Sequence, residues 1–333
     1  MRLGLCLPPR PRPGEEGYDH PETWGCLRRE LHEPIMTLLS AHDSFDEILH
    51  RDIRQAWVRA GDVLVDGKPL HHEIDAYFWY AEIDRRPGTF HLEVLKTLAR
   101  HIPVYPDPWR WEIAVDKYRA HLALKDAGVA VPDFVLCDVA TLSLVDLHAH
   151  LTPLLEEWGG AVLKPRRGAW GKGVMLVEDP AMLRDLIGYI RATSGDSPDG
   201  GFLLERYHDN DLERWCSVTM LGGEPMYGYR KRQAKIAQMG AGKHKIFDAD
   251  ERGGEVDLAV VEAAHKEQVA RASRALGCPI IGFDMIWTEQ GPLVVDENTS
   301  PGNYLELYDE VGIDPAEAFV HMIASTVMST PGE

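Results

Sequence analysis

The chain has no apolar run approaching the roughly 20 residues that a membrane-spanning helix needs. Its first residues, MRLGLCLPPRPRPGEEG, hold too short an apolar stretch for a secretory signal. A soluble, unprocessed, cytoplasmic protein is expected, with no membrane partner. Cysteine is scarce: Cys6, Cys26, Cys137, Cys216 and Cys278 are odd in number, scattered, and contain no Cys-x-x-Cys pair. That excludes a disulfide framework and a redox dithiol, and it suits a reducing compartment. Positive charge is short as well. The 35 Lys and Arg against 53 Asp and Glu leave a net charge of -18, which argues against nucleic acid as the main partner but not against a local basic pocket. Histidine is plentiful at 15 residues, yet His71-His72 and His148-x-His150 lack the four-residue helical spacing and the third ligand of a zinc enzyme, so they read as solvated. There is no internal repeat and no low-complexity tract.

What is present is a globular composition. With 44% apolar and 26% charged residues, the 333-residue chain reads as an enzyme of two or three lobes rather than one small core. LGLCL at 3–7 reads as a buried strand, and the proline-rich stretch from Pro8 to about Glu22 as a surface loop. DAYFWYAEI reads as a second strand, HLEVLKTLARH as a helix with Leu92, Leu95 and Leu98 or Ala99 inward, and VYPDPW as extended. This alternation predicts an N-terminal α/β lobe over residues 1–105. From Glu112 a helical period places Val115, Tyr118 and Leu122 on one face and stops at Gly128. Strands AVLKP and GVMLV then flank a glycine loop. Asp179-Pro180 opens a helix with Leu183, Leu186, Ile187 and Ile190 inward, which gives a central lobe over 106–196. GFLLERY and SVTMLGG open a third lobe, 197–333, with a helix from about Val256 to Leu276 and a last helix capped by Asp314-Pro315.

Chemistry concentrates in the third lobe, in IIGFDMIW, TEQGP and LVVDENTSPG. In an antiparallel hairpin centred on Gln290, residues whose numbers sum to 580 face each other. Asp284 then lies opposite Asp296, their Cβ atoms about 4.5–5.5 Å apart, and Asn298 falls on the same face. Two carboxylates and an amide oxygen so placed need a cation, and hard oxygen ligands suit magnesium. A polar hairpin end at the surface would use the same residues. Upstream, AVLKPRRGAWGKGVMLV sets Lys164 at the end of an apolar strand with Gly168, Gly171 and Gly173 in the following turn. A fixed ammonium beside backbone N–H groups suits a phosphate; a plain β-hairpin turn would explain the glycines but not a lysine just before a proline on an apolar strand. The stretch is neither a dinucleotide fingerprint, whose glycines enter a helix, nor a P-loop, because Gly171-Lys172 and Gly242-Lys243 lack the hydroxyl that must follow.

Four segments in order, VDKYRAHLALKDAGVAVPDF, AVLKPRRGAWGKGV, FLLERYHDNDLERWCSVTMLGGEPMYGYRKR and GFDMIWTEQGPLVVDENTSPG, make the chain resemble the ATP-grasp enzymes. It is most like the branch of the ribosomal-protein glutamate ligase (RimK-type) and related carboxylate–amine ligases. The resemblance threads residues 105–325, about two thirds of the chain. It implies an ATP-grasp fold with the nucleotide between the central and C-terminal lobes. Lys117 and Lys164 match the ATP-contacting lysines, and Gly168, Ala169, Trp170, Gly171 and Lys172 match the loop over the β and γ phosphates. Glu205, Arg206, Tyr207 and His208 match the hinge whose backbone meets adenine. Asp211 and Glu213 both qualify for the ribose, and Arg230 matches the arginine on the transferring phosphate. Asp284, Asp296 and Asn298 match the ligands of one or two Mg2+ ions, for which Mn2+ can substitute. Many ligases of this branch carry Glu where this chain has Asp296; the spelling Asp-x-Asn-x-x-Pro-Gly also occurs in some inositol-phosphate kinases of the superfamily.

The implied reaction is ATP-dependent joining of a carboxylate to an amine through an acyl phosphate, with Lys164 and Arg230 stabilising the transferred phosphoryl group. The alternative is a small-molecule kinase that phosphorylates a hydroxyl. Expected partners are small-molecule or peptide carboxylates and amines, with homo-oligomerisation open. For the acceptor, the stretch from Gln238 to Asp248 and the residues Ser300, Gly302 and Asn303 are the candidates, as irregular backbone beside a metal site carries specificity. The aromatics Phe78, Trp79, Tyr80, Trp109 and Trp111 read as core at strand spacing.

Overall fold

The computed structural model describes residues 1–11, 15, 27–84, 86–138, 143–168, 173–193, 201–211, 213–231 and 256–329. The N-terminal sheet is parallel, with strand order Glu47–His50, Arg2–Cys6, Ala76–Trp79, Val104–Tyr105. Parallel strands are buried on both faces, which is why LGLC and AYFW are apolar throughout. The alternation of Ala76–Trp79 divides its side chains between two cores. Ala76 and Phe78 meet Ile35 and Leu39 of helix Arg29–Ser40 and Phe319 and Ile323 of the last helix, Pro315–Met328. Tyr77 and Trp79 meet Leu92, Leu95 and Leu98 of helix Phe90–Leu98. Phe78, Trp79, Tyr80 and Trp111 are core residues, whereas Trp109 is 45% exposed. Among the described residues no helix is long and apolar enough to cross a membrane.

The expected extended run VYPDPW is a strand only at Val104–Tyr105. Asp107 then accepts the N–H groups of Trp109 and Arg110 and starts helix Pro108–Ala114, with proline in the first turn where its missing N–H is harmless. A second helix, Lys117–Asp126, restarts after Asp116. That restart turns the buried stripe to Lys117, Ala120, His121 and Leu124, so Leu122, expected inward, is 41% exposed and Tyr118 half-buried. Apolar spacing misled because two of the buried positions carry charge.

The second sheet is antiparallel, ordered Met175–Val177, Ala161–Pro165, Gly201–Arg206, Phe134–Asp138. Leu147, Leu151 and Leu155 of helix Leu144–Trp158 and Leu183 and Ile187 of helix Pro180–Thr193 cover it, forming a core separate from the others. Gly201–Arg206, expected to open the third lobe, instead hydrogen-bonds into this sheet between Ala161–Pro165 and Phe134–Asp138. The third sheet runs Val256–Ala259, Glu224–Lys231, Cys216–Leu221, Ile280–Thr288, Gly291–Asn298. The helix expected from about Val256 is therefore Ala263–Leu276, and Val256–Ala259 is an edge strand. The Glu262 N–H donates to His265 Nδ1 at 3.2 Å, which marks the true helix start, and Gly277 ends it at φ +63°. Val269, Ala272 and Leu276 of this helix pack with Val218, Phe283 and Met285 of the sheet and with Ala120 and Leu124.

Asp314 accepts the N–H groups of Ala316 and Glu317 at 2.8 and 3.0 Å, starting the helix that seals the N-terminal sheet. Asp314→Ala is expected to lower the unfolding free energy by about 0.5–2 kcal/mol, read as an earlier urea midpoint with an unchanged slope.

Candidate active site

The site is built on the edge strand Gly291–Asn298. Gly282 faces Asn298, Phe283 faces Glu297 and Asp284 faces Asp296, all summing to 580 as expected. Nearer the turn the pairs sum to 579, from Met285 facing Val294 to Thr288 facing Gly291, so Val295 is an extra residue, a β-bulge. The row continues across the sheet through Ser217 to Tyr229. Tyr229, Ser217, Asp284 and Asp296 therefore share one face, and the Ser217 hydroxyl donates to the Asp284 carboxylate.

Two lysines meet this edge from other elements. Lys117, at the first turn of its helix, places its ammonium against the Asp296 carboxylate. Lys164, from the central sheet, donates to the Val295 carbonyl at 2.7 Å and pairs with Glu205 Oε2 at 2.6 Å. An edge strand has backbone groups in need of partners, and the bulge turns one to a lysine on the facing sheet. Lys117 and Lys164 are almost wholly buried. Burial opposes the charge on Lys117, but Asp296 and Glu297 outweigh it and raise its pKa.

Behind the lysines lies a charged array that apolar spacing did not reveal. His121, fully buried, stands between Glu205 Oε1 at 3.3 Å from Nε2 and Glu297 Oε2 at 3.6 Å from Nδ1. Burial alone would depress the imidazole, yet Glu205 and then Glu297 hold it up at about 9. Burial pushes Glu205 upward, but Lys164 and His121 prevail and hold it at about 2. For Glu297 burial wins over His121 and Lys117, and its pKa is raised. Glu205, matched only through its backbone in the sequence, thus contributes a buried carboxylate. The signal for it was a Lys, a His and two Glu at strand or helix positions otherwise apolar.

The remaining expected residues are placed as follows. Asp116 accepts from Arg166 and Arg167 at 2.5–2.9 Å, and the Lys117 N–H donates to the Arg166 carbonyl at 3.1 Å. These contacts fix the start of the loop at Gly168. Ala169, Trp170, Gly171 and Lys172, and the candidate segment 238–248, lie outside the described residues. In the hinge, the N–H groups of Arg206 and Tyr207 donate to the carbonyls of Asp133 and Gly160 at 2.8 and 3.0 Å, while His208 is half-buried. Asp211 accepts the Glu213 N–H at 3.0 Å. Arg230 follows Tyr229, so it leaves the sheet on the face opposite Asp284, and it donates to the Glu213 carbonyl at 2.7 Å. The structure therefore brings Lys117, Lys164, Asp284 and Asp296 together but holds Arg230 apart from them.

Asn298 Oδ1 accepts the Ser300 N–H at 3.0 Å, and the Ser300 hydroxyl reaches Glu82 at 3.4 Å. The Gly302 carbonyl accepts from Tyr227 and Thr219 at 2.6 and 3.2 Å, and the Asn303 carbonyl from Arg28 at 3.2 Å. The Asn303 Oδ1 is buried without a hydrogen-bond partner. Ser217 and Glu82 are further candidate residues that sequence reasoning missed, because cross-sheet register and the approach of the N-terminal lobe bring them to Asp284 and Ser300. The donor set fits a hard divalent cation: two carboxylates in register plus an amide oxygen.

A base with a higher pKa folded than unfolded gives stability that is complete below the unfolded value and is lost as pH rises through the folded one. For His121 that window runs from 6.5 to about 9. Unfolding free energy is expected to fall across it, and His121→Gln to flatten the fall, both measurable by chemical denaturation at stepped pH.

No protein-family model matches the chain. It is 31% identical over 220 residues, 65% of this chain and 67% of the relative, to a probable alpha-L-glutamate ligase of Xanthomonas euvesicatoria pv. vesicatoria. The chain thus spans about two thirds of that relative's length. Its structure is similar over 99% of its length to all of a RimK-domain ATP-grasp protein of Sphaerobacter thermophilus, with TM-score 0.61 and 16% identity. It is also similar, over 98% of both chains, to the ATP-grasp ligase PsnB complexed with a minimal precursor, Mg and ADP, with TM-score 0.59 and 14% identity. Sequence and fold agree: the chain belongs to the RimK-like carboxylate–amine ligases of the ATP-grasp superfamily.

Proposed function

We propose that the protein uses ATP to join an amino-acid or peptide carboxylate to an amine, at the edge where Asp284 and Asp296 face each other beside Lys117 and Lys164. That convergence of four charged groups from four elements is the observation that carries the reading. A carboxylate is a poor electrophile, so its oxygen first attacks the γ-phosphorus of ATP and ADP leaves. The amine then attacks the acyl carbon, loses a proton and expels phosphate. Transfer between anions needs fixed positive charge and alignment more than acid or base groups.

In this reading the Lys164 and Lys117 ammonium groups neutralise phosphate oxygens; the buried Glu205 holds Lys164 ready with little reorganisation, and the half-buried Asp296 pairs with Lys117. Asp284, Asp296 and Asn298 would hold Mg2+, which when bound supplies charge neutralisation at the phosphates. The Lys117 contact to Asp296 would loosen as the carboxylate takes the cation. The chain from Glu205 to His208 would meet the base through groups other than the Arg206 and Tyr207 N–H, which are engaged. Arg230 would reach a phosphate only after leaving the Glu213 carbonyl. Ser300, Gly302 and Asn303 would line the acceptor side, where the unpartnered Asn303 Oδ1 suits an amine N–H. The relatives named as alpha-L-glutamate ligases favour an α-amino acid as one partner; the kinase alternative rests only on the spelling at Asp296.

Screening amino acids and short peptides for ADP release tests the proposal. Phosphate release should require carboxylate and amine together, whereas phosphorylation of a hydroxyl compound with no free phosphate would establish the kinase reading. Asp284→Asn is expected to lower kcat/KM on the order of 100-fold without a matching loss of stability. A Cβ on Gly282 would meet the Pro301 Cβ at 2.8 Å, so Gly282→Ala should push away the loop behind Asn298 and lower turnover about tenfold or more.

A further inference from the structure

A second cluster of ligating side chains lies in the N-terminal lobe, on elements that contribute nothing to the edge strand. Asp62, His71 and His101 each offer a ligand atom, and the three atoms lie within 4.8 Å of one another. Sequence spacing hid the set. His71 and His72 are adjacent, Asp62 opens strand Asp62–Val65, and His101 sits in the turn after helix Phe90–Leu98. The missing third ligand is supplied by the fold.

The local geometry holds these groups in place. Ala60 and Gly61, both at positive φ (53° and 94°), form the two-residue turn between strands Trp57–Arg59 and Asp62–Val65. That turn delivers the Asp62 carboxylate and the Gly61 carbonyl side by side. The carbonyl accepts from His101 Nε2 at 2.9 Å, so Nε2 carries the proton and Nδ1 keeps a lone pair, as outer carbonyls do for ligating histidines. The His71 and His101 rings stack at 4.2 Å between centroids and 10° between planes. His71 has only 16% of its side chain exposed, contrary to the expectation that it is solvated, and its Nε2 lies 4.0 Å from Asp62 Oδ1. That is too long for a hydrogen bond, and its Nδ1 is buried with no partner. Two ligands of a tetrahedral zinc ion stand about 3.3 Å apart, so small side-chain rotations would close the set.

We propose that Asp62, His71 and His101 form a binding site for a borderline divalent transition-metal ion of the zinc class, staple-like in role and separate from the nucleotide centre. Two imidazoles and one carboxylate suit zinc over magnesium or calcium, which prefer all-oxygen sets. A fourth position would be left to water. The ion ties the hairpin turn, the short 3-10 turn Leu70–His72 and the end of helix Phe90–Leu98 into one unit. Its effect on stability follows mass action, because the unfolded chain lacks the site.

The test uses the full chain, stripped with chelator and titrated with Zn2+ in excess Mg2+, with Co2+ as a spectroscopic probe. One equivalent should bind and raise the melting temperature, and Co2+ should give the visible absorption of a four- or five-coordinate site. His101→Ala and Asp62→Asn, both at the surface, should each weaken Zn2+ binding by more than the about 10–100-fold that loss of an outer partner costs. Asp284→Asn should leave Zn2+ binding unchanged. Absence of stoichiometric binding, or binding that survives both His101→Ala and Asp62→Asn, overturns the proposal.

Discussion

The Glu205 carboxylate, shared between Lys164 and His121 inside the protein, is the contact on which the rest of the site depends. Each group is almost fully removed from water. Desolvated ions are costly unless each has a partner, and removing one partner from a buried pair costs about 3–5 kcal/mol. The array therefore has few alternative arrangements. Glu205 stands on the central sheet, His121 on the helix packed against the third sheet, and Glu297 on the edge strand beyond it. One chain of charges thus fixes the central sheet against the third sheet.

That fixation sets what meets at the edge strand. Lys164, anchored by Glu205, reaches the one carbonyl freed by the bulge at Val295, and the same bulge brings Asp296 into register with Asp284. Lys117 and Asp116 stand at one helix start, so the helix that supplies a cation to Asp296 also ties down Arg166 and Arg167 at the beginning of the glycine loop. The cations proposed for phosphate and the carboxylates proposed for metal are held by shared supports, which suits transfer between two anions, where alignment and charge neutralisation dominate.

Much of this was legible in the sequence, and the misreadings have physical causes. The opposition of Asp284 and Asp296 was expected from an unbroken register centred on Gln290; the strands pair one residue off that register near the turn, and the bulge at Val295, between the turn and the pair, restores it. The inward face of Lys117–Asp126 was misread because Lys117 and His121 are buried for charge pairing, which apolar spacing does not register. Helices Arg29–Ser40 and Leu144–Trp158 carry interior prolines, Pro34 and Pro153, and were not anticipated. Gly201–Arg206 was assigned to the wrong sheet because strand pairing is a long-range choice that local pattern does not contain. Arg230 showed its strand but not its face, which depends on register with Ser217. The Asp62, His71 and His101 cluster was invisible for the same reason.

The most direct measurement follows oxygen. A carboxylate substrate that supports ADP release is labelled with heavy oxygen and turned over, and the products are analysed by mass spectrometry. Activation through an acyl phosphate predicts one labelled oxygen per turnover in the released inorganic phosphate and none in the adenine nucleotide. Label in AMP, or phosphate without label, would contradict the account.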